Sequence, residues 1–269
     1  MLSFLVPLIM QVGIAPTASP VSALPPELRD RPTRNAPGLD RPASDPAIQV
    51  CLDTARSDPA KARALAEEWV SRTTGLQRAA GGHCLGVAAA NAGDWSAAAA
   101  AFLAARDDAS DNGFRARMSA LAASALLADG RPAEALMAVD SADATGDPAL
   151  AGTIALDRAT ALVALGRTDE AAVALADARA AAPDDPQAWL LSATLSRRTG
   201  DLATAQAQIE RAAALDPRDP AIGLEAGVIA ALAGRDDAAR KSFDSVVAAA
   251  PDSPQGAAAR QYLAQLSGE

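Results

Sequence analysis

The chain has 269 residues, a formal net charge of −9 and a hydrophobic content of 50%, yet only 3% of its residues are aromatic. Its only lysines are Lys61 and Lys241 and no basic stripe is present, which argues against nucleic acid as a partner, because phosphate affinity rests on clustered cations. Most of the apolar content is alanine, and alternating Val-, Ile-, Tyr- and Phe-rich runs are absent after residue 50, so a β-rich core is excluded and close-packed helices are favoured.

Leu2 to Ala15 is uncharged and apolar, interrupted by Pro7. It is shorter than the roughly 20 residues that span a bilayer and suits the hydrophobic region of a secretory signal. Val21-Ser22-Ala23 supplies small residues for a signal peptidase, so residues 1–23 are expected to be a signal peptide cleaved after Ala23, with Ala18 as a second candidate. No Lys or Arg precedes the apolar run, and a mis-assigned start or a buried N-terminal helix is the competing reading. No later stretch is apolar for long enough to cross a membrane, so no stable membrane insertion is expected after cleavage, and the product is expected to be periplasmic or secreted. Residues 24–46 hold six prolines among arginines and aspartates and lack the apolar mass to offset ordering entropy, so they read as an extended linker.

Five glycines then punctuate the chain: Gly93, Gly130, Gly166, Gly200 and Gly234. The last three are 34 residues apart and the earlier gaps are 37 and 36. A period in this range predicts stacked helical hairpins, an all-α right-handed solenoid. Each glycine is expected to end one helix in the left-handed conformation, and Asp94, Pro132, Thr168, Asp201 or Asp236 to start the next. Seven residues before each glycine stands a small residue (Gly86, Ala123, Ala159, Ala193, Gly227), and five after it an alanine (Ala98, Ala135, Ala171, Ala205, Ala239). These positions let the two helices of a hairpin approach closely. Nine residues after it comes a larger apolar side chain (Phe102, Val139, Leu175, Ile209, Phe243), expected to fill the space between one hairpin and the next. Pro183, Pro217 and Pro251 stop the second helices of the last three copies.

This pattern resembles the tetratricopeptide repeat family over roughly residues 47 to 253. Trp189, Ala193, Ala205, Ile209, Ala212 and Pro217 fall at the family's signature places. The tyrosine usual in the first helix is absent, and Arg158 and Ser192 stand where leucine is common. Ser57-Asp58-Pro59 with Ala62 and Trp69 looks like a divergent first copy, and Ser253 to Leu266 reads as a lone capping helix. Residues 47–269 are therefore expected to form an array of about six helix pairs plus the cap.

Cys51 and Cys84 fall in first helices of adjacent hairpins, which stack as neighbours. In an exported protein such a pair reads as a disulfide, the alternative being two inert thiols.

No catalytic constellation emerges, and the expectation is a non-enzyme without cofactor. His83, the single histidine, next to Cys84 supplies too few ligands for a structural zinc, and adjacent helical residues point about 100° apart, so no Cys–His pair forms. Acidic pairs such as Asp107-Asp108, Asp184-Asp185 and Asp236-Asp237 read as caps. What remains is a binding surface. In the family the first helices line a concave groove. The resemblance places Gln187, Leu190, Thr194, Arg197 and Arg198 there, with Arg117, Ser124 and His83 in earlier copies. Leu224 and Val228 belong to an apolar strip on the next copy. Two adjacent arginines suit an acidic segment or a peptide C-terminal carboxylate, unless they only complete the helix terminus. The expected partner is thus a protein or peptide, and the expected role an interaction scaffold of the bacterial cell envelope. The alternative is an accessory subunit of an envelope enzyme or of an export or assembly complex.

Overall fold

The computed structural model describes residues 46–267, except 143 and 145. The expected signal peptide and nearly all of the expected linker lie outside the described residues. Thirteen helices and no strand occur among the described residues. They run as α1 (Pro46–Ser57), α2 (Pro59–Arg72), α3 (Gly75–Asn91), α4 (Trp95–Asp108), α5 (Asn112–Ala128), α6 (Pro132–Asp140), α7 (Pro148–Ala164), α8 (Thr168–Ala181), α9 (Pro186–Arg198), α10 (Leu202–Leu215), α11 (Pro220–Leu232), α12 (Asp236–Ala249) and α13 (Pro254–Ser267). Each helix packs on its chain neighbours, and first helices pack on the next first helices, as α5 does on α7 and α9 on α11. The result is an all-α superhelical array of antiparallel hairpins. None of these helices is long and apolar enough to cross a membrane.

The turn chemistry follows from the punctuating glycines. All five have positive φ, from 70 to 88°. The N–H of the residue after each glycine bonds to a carbonyl five residues back, as Asp94 to Ala89, Arg131 to Leu126 and Asp201 to Ser196, at 2.8–2.9 Å. This satisfies helix-end carbonyls that would otherwise be orphaned. Asp94 and Asp201 then cap the next helix by accepting from Ala97 and Thr204 N–H. After the other three turns the helices begin at Pro132, Thr168 and Asp236, as expected. Their N-cap residues are Arg131, Arg167 and Arg235, which make no side-chain cap bond. Arg131 and Arg167 instead grip Glu134 and Glu170 three residues on, at 2.5 Å.

Packing inside each hairpin is set by the small residue before the turn. A Cβ on Gly86 would stand 2.4 Å from the Phe102 ring, and one on Gly227 2.3 Å from the Phe243 ring. The large residue nine after the turn glycine therefore packs first against its own hairpin, which sequence spacing had assigned to the gap between hairpins. Phe243 serves both, because it also stacks on Tyr262 of α13 at 5.2 Å between centroids.

The buried core is a row of clusters. The largest runs from Ala89 to Leu195, and a second, from Leu190 to Ile229, takes over along α9. The N-terminal cluster is small: Ile48, Cys51, Leu52, Ala66 and Cys84, with Trp69 partly buried against it. Cys51 and Cys84 are joined there by a disulfide that ties α1 to α3, with Cα atoms 6.1 Å apart.

Two outcomes are expected. Gly227→Ala forces a methyl into the Phe243 ring and should lower stability by about 1–3 kcal/mol in urea unfolding, far more than helix propensity alone would give back. Alkylation of unreduced protein should leave Cys51 and Cys84 unlabelled, and Cys51→Ser with Cys84→Ser should cost about 3–4 kcal/mol for a closed loop of this length. Two alkylated thiols in freshly isolated protein would remove the staple.

Candidate functional site

The residues expected in the groove separate into several environments. Leu190 is 1% exposed and packs with Ala193, Ala205 and Ile209. This corrects its assignment to a binding surface: it belongs to a buried cluster made by its own hairpin and by Ile222 and Ile229 of the next. Arg197 points to its neighbour in the array. Its Nε and Nη2 donate to Oε1 and Oε2 of Glu225 at 2.6 and 3.3 Å, and Glu225 is 3% exposed. The pair bridges α9 to α11, so Arg197 is committed to structure. Gln187 donates from Nε2 to Asp219 Oδ2 at 3.2 Å, and Asp219 in turn caps α11 through Ala221 and Ile222 N–H. Leu224 and Val228 are half-buried against the C-terminal cluster around Phe243. Ser124 donates to Oδ2 of the fully buried Asp157 at 2.7 Å, bridging α5 to α7.

Glu225 and Asp157 were missed at the sequence level, although a signal existed. Both stand nine residues before their turn glycine, where Leu121 and Leu191 stand in other copies. A carboxylate at a core register demands a partner from an adjacent element.

At the N-terminal end His83 is 5% exposed, between Phe102 and Phe114 at 6.3 and 6.0 Å between centroids. Its Nδ1 is buried without a hydrogen-bond partner. Burial, with a smaller contribution from the Arg117 guanidinium, lowers its pKa to about 4. Arg117 is half-buried with its guanidinium 6.0 Å from the Phe114 ring centroid. Among the described residues no three His, Cys, Asp or Glu side chains gather as a metal site.

Thr194 and Arg198 remain, and they share one feature. A narrow recess with room for about one water lies between α7, α8 and α9. Ala159, Val163, Leu175, Leu191 and Leu195 give it an apolar wall; Thr160, Thr194 and Arg198 are its polar members. Trp189 Nε1 donates to the Pro183 carbonyl at 2.9 Å, and Arg179 of α8 lies over the Trp189 ring and donates to Ser192. Burial lowers the Arg179 pKa. Thr160 and Thr194 occupy the same register, six before the turn glycine. Thr160 donates to the Leu156 carbonyl at 2.9 Å. Thr194 Oγ1 is buried and has no hydrogen-bond partner. Arg198 is exposed and makes no ion pair among the described residues. Ala159 and Leu175 are read from the sequence as packing positions of their hairpin, while Val163, Leu191 and Leu195 are not singled out, because aliphatic residues at these registers look like ordinary core.

The sequence profile of the tetratricopeptide repeat matches residues 152–195 and 192–254. No curated protein sequence matches the chain. Among solved structures the fold is similar to that of PilW, a widely conserved type IV pilus biogenesis factor. That likeness has a TM-score of 0.64 and 18% identity, and covers 79% of this chain and 97% of that one. Pseudomonas aeruginosa PilF gives a TM-score of 0.64 at 16% identity, covering 81% and 95%. A thermophilic tetratricopeptide repeat protein of Thermus thermophilus gives 0.56 at 21% identity, covering 71% and all of that chain. Identities this low speak to the fold.

The buried histidine has a measurable consequence. Its pKa is about 4 when folded, against an ordinary value of 6.5, so between those values the unfolded chain binds the extra proton. Its contribution is intact above pH 6.5 and is lost as the pH falls toward 4, by about 3 kcal/mol. His83→Phe should retain that much more stability at pH 4 relative to pH 7 than the wild type does. Equal pH slopes for the two proteins would show that His83 is not held neutral.

Proposed function

Because the chain is a tetratricopeptide repeat protein, we propose that it is a non-catalytic protein-interaction scaffold of the bacterial cell envelope, receiving a peptide or protein segment on the concave face of its first helices. The observation that supports the reading is Arg198 on α9, exposed and without an ion pair among the described residues, beside the buried Thr194 hydroxyl that has no hydrogen-bond partner. Buried polar groups are nearly always hydrogen-bonded, and an exception asks for a reason. Elsewhere on the array the arginines are mostly matched within the chain: Arg63 with Asp94, Arg78 with Asp108, Arg158 with Asp140, Arg211 with Asp184.

The partner's acidic character is inferred from Arg198 alone, now that Arg197 serves Glu225. An accessory role in an envelope export or assembly complex is the finer form of the same reading. The leader read in residues 1–23 supports it, since disulfides such as Cys51–Cys84 persist in oxidising compartments. So does the similarity of the fold to a pilus biogenesis factor. Residues 24–46 would then tether the array after cleavage.

Crosslinking in the native compartment should recover a defined partner with the wild-type chain. Arg198→Glu should reduce that recovery about tenfold, the effect of reversing one interfacial charge, with an unchanged helical circular dichroism spectrum. Undiminished recovery by Arg198→Glu would take the partner away from this face.

A further inference from the structure

The joints of the array are not equally tight. First helices lie closely on the next first helices at α1–α3, α5–α7, α9–α11 and α11–α13, whereas α7 and α9 scarcely meet. Helices α3 and α5 also stand apart, but there α4 lies broadly on α5. The joint after α8 has no such support: among the described residues, no second helix makes a thinner contact with the first helix that follows it than α8 does with α9. The bonds that cross this joint gather at one end. Trp189 donates to the Pro183 carbonyl, Arg179 lies over Trp189 and donates to Ser192, and Arg211 of α10 pairs with Asp184 in the turn. They centre on the last turn of α8 and the turn that follows it. Further along α9 the contact is of another kind. Leu191 and Leu195 face Ala159, Val163 and Leu175 across a gap with room for about one water. Aliphatic contacts carry no direction and let surfaces slide. Beside them the Thr194 hydroxyl is buried without a partner, although Thr160 at the same register bonds to the Leu156 carbonyl.

We propose that the α8–α9 joint is a hinge between two rigid bodies, α1–α8 and α9–α13. The pinned turn is the axis, and α7 and α9 part on the first-helix side. Helix α9 moves with the C-terminal body, because Arg197–Glu225 and Gln187–Asp219 tie it to α11 and its turn. Helix α7 moves with the N-terminal body through Ser124–Asp157 and Arg158–Asp140. Opening exposes a few aliphatic side chains, which costs free energy. It also lets water reach Thr194 Oγ1, which recovers the hydrogen bond that closure denies it and offsets part of that cost. Rotation about this axis alters the angle between the two rows of first helices while leaving the core of each body intact. The inference concerns the chain by itself and needs no partner.

The test is double electron–electron resonance on the full chain, with spin labels on introduced cysteines at exposed sites and the Cys51–Cys84 bond left closed. Ala104→Cys with Gln261→Cys, and Ala176→Cys with Gln261→Cys, span the joint; Ala104→Cys with Ala176→Cys, and Ala203→Cys with Gln261→Cys, lie within one body. Pairs spanning the joint should give distance distributions about twofold broader than pairs within a body, as rigid-body rotations of about 15° produce. Thr194→Val keeps the side-chain shape and removes the hydroxyl that rewards opening. It should fold at least as stably as the wild type and cut the open population about tenfold, narrowing only the distributions that span the joint. Trp189→Leu removes the pin and should broaden those same distributions, with an unchanged helical circular dichroism spectrum. Equal widths for all pairs in the wild type overturn the hinge. So does an unchanged spanning distribution in Thr194→Val, or a broadening by Trp189→Leu that extends to the pairs within a body. None of these results bears on partner recovery by Arg198→Glu, so hinge and scaffold stand or fall separately.

Discussion

The array depends on how closely two helices of a hairpin can approach at the residue seven before the turn glycine. At Gly227 even a methyl would lie 2.3 Å from the Phe243 ring, and at Gly86 2.4 Å from Phe102. Where that position is alanine, the facing residue is a smaller aliphatic: Val139, Leu175 or Ile209. Glycine is thus paired with phenylalanine and alanine with Val, Leu or Ile. The sum of the two volumes stays near constant, as close packing requires. That constancy lets hairpins of different sequence stack at a common spacing, and it explains how a chain so poor in aromatic residues builds a continuous core from alanine.

Stacking hairpins leaves each first helix with two duties. One side must contact the next first helix, while another stays open. Polar pairs fix the contact side: Ser124 with Asp157 between α5 and α7, Gln187 with Asp219 and Arg197 with Glu225 between α9 and α11. A buried ion pair contributes little net stability, but breaking it by removing one partner is costly. Such pairs penalise any stacking in which a hairpin is rotated or skipped. At the N-terminal end, where the apolar cluster is smallest, the Cys51–Cys84 bond does the corresponding work covalently.

The division between fold and surface explains what could be read from the residues alone. The turn glycines, the small-residue register and the proline stops each report a local requirement of one hairpin, so they were legible. Leu190 and Arg197 were not, although they lie on the same helical face as Thr194 and Arg198. Spacing along one helix defines a face but not what covers it. Leu190 is buried in a cluster that joins α9, α10 and α11, and the counter-ion of Arg197 lies 28 residues further on. Of the three N-cap arginines, Arg131 and Arg167 meet Glu134 and Glu170 from within the helix, while Arg235 donates to Gln206 of α10.

The location of the recess follows from the same one-dimensional build. A solenoid has no single core, and packing is optimised within each cluster before it is optimised between them. Helix α9 belongs to two clusters: Ala188, Leu191 and Leu195 side with the large central one, Leu190 and Ala193 with the next. Its residues are drawn in two directions, and the space left between α7 and α9 falls at that seam. In a compact globule a void of this kind with an orphaned hydroxyl would cost stability and close up or fill. Here the seam is braced from outside by Arg179 over Trp189 and by the Trp189–Pro183 hydrogen bond. The walls are thereby held apart beside Thr194, whose hydroxyl stays buried without a hydrogen-bond partner among the described residues.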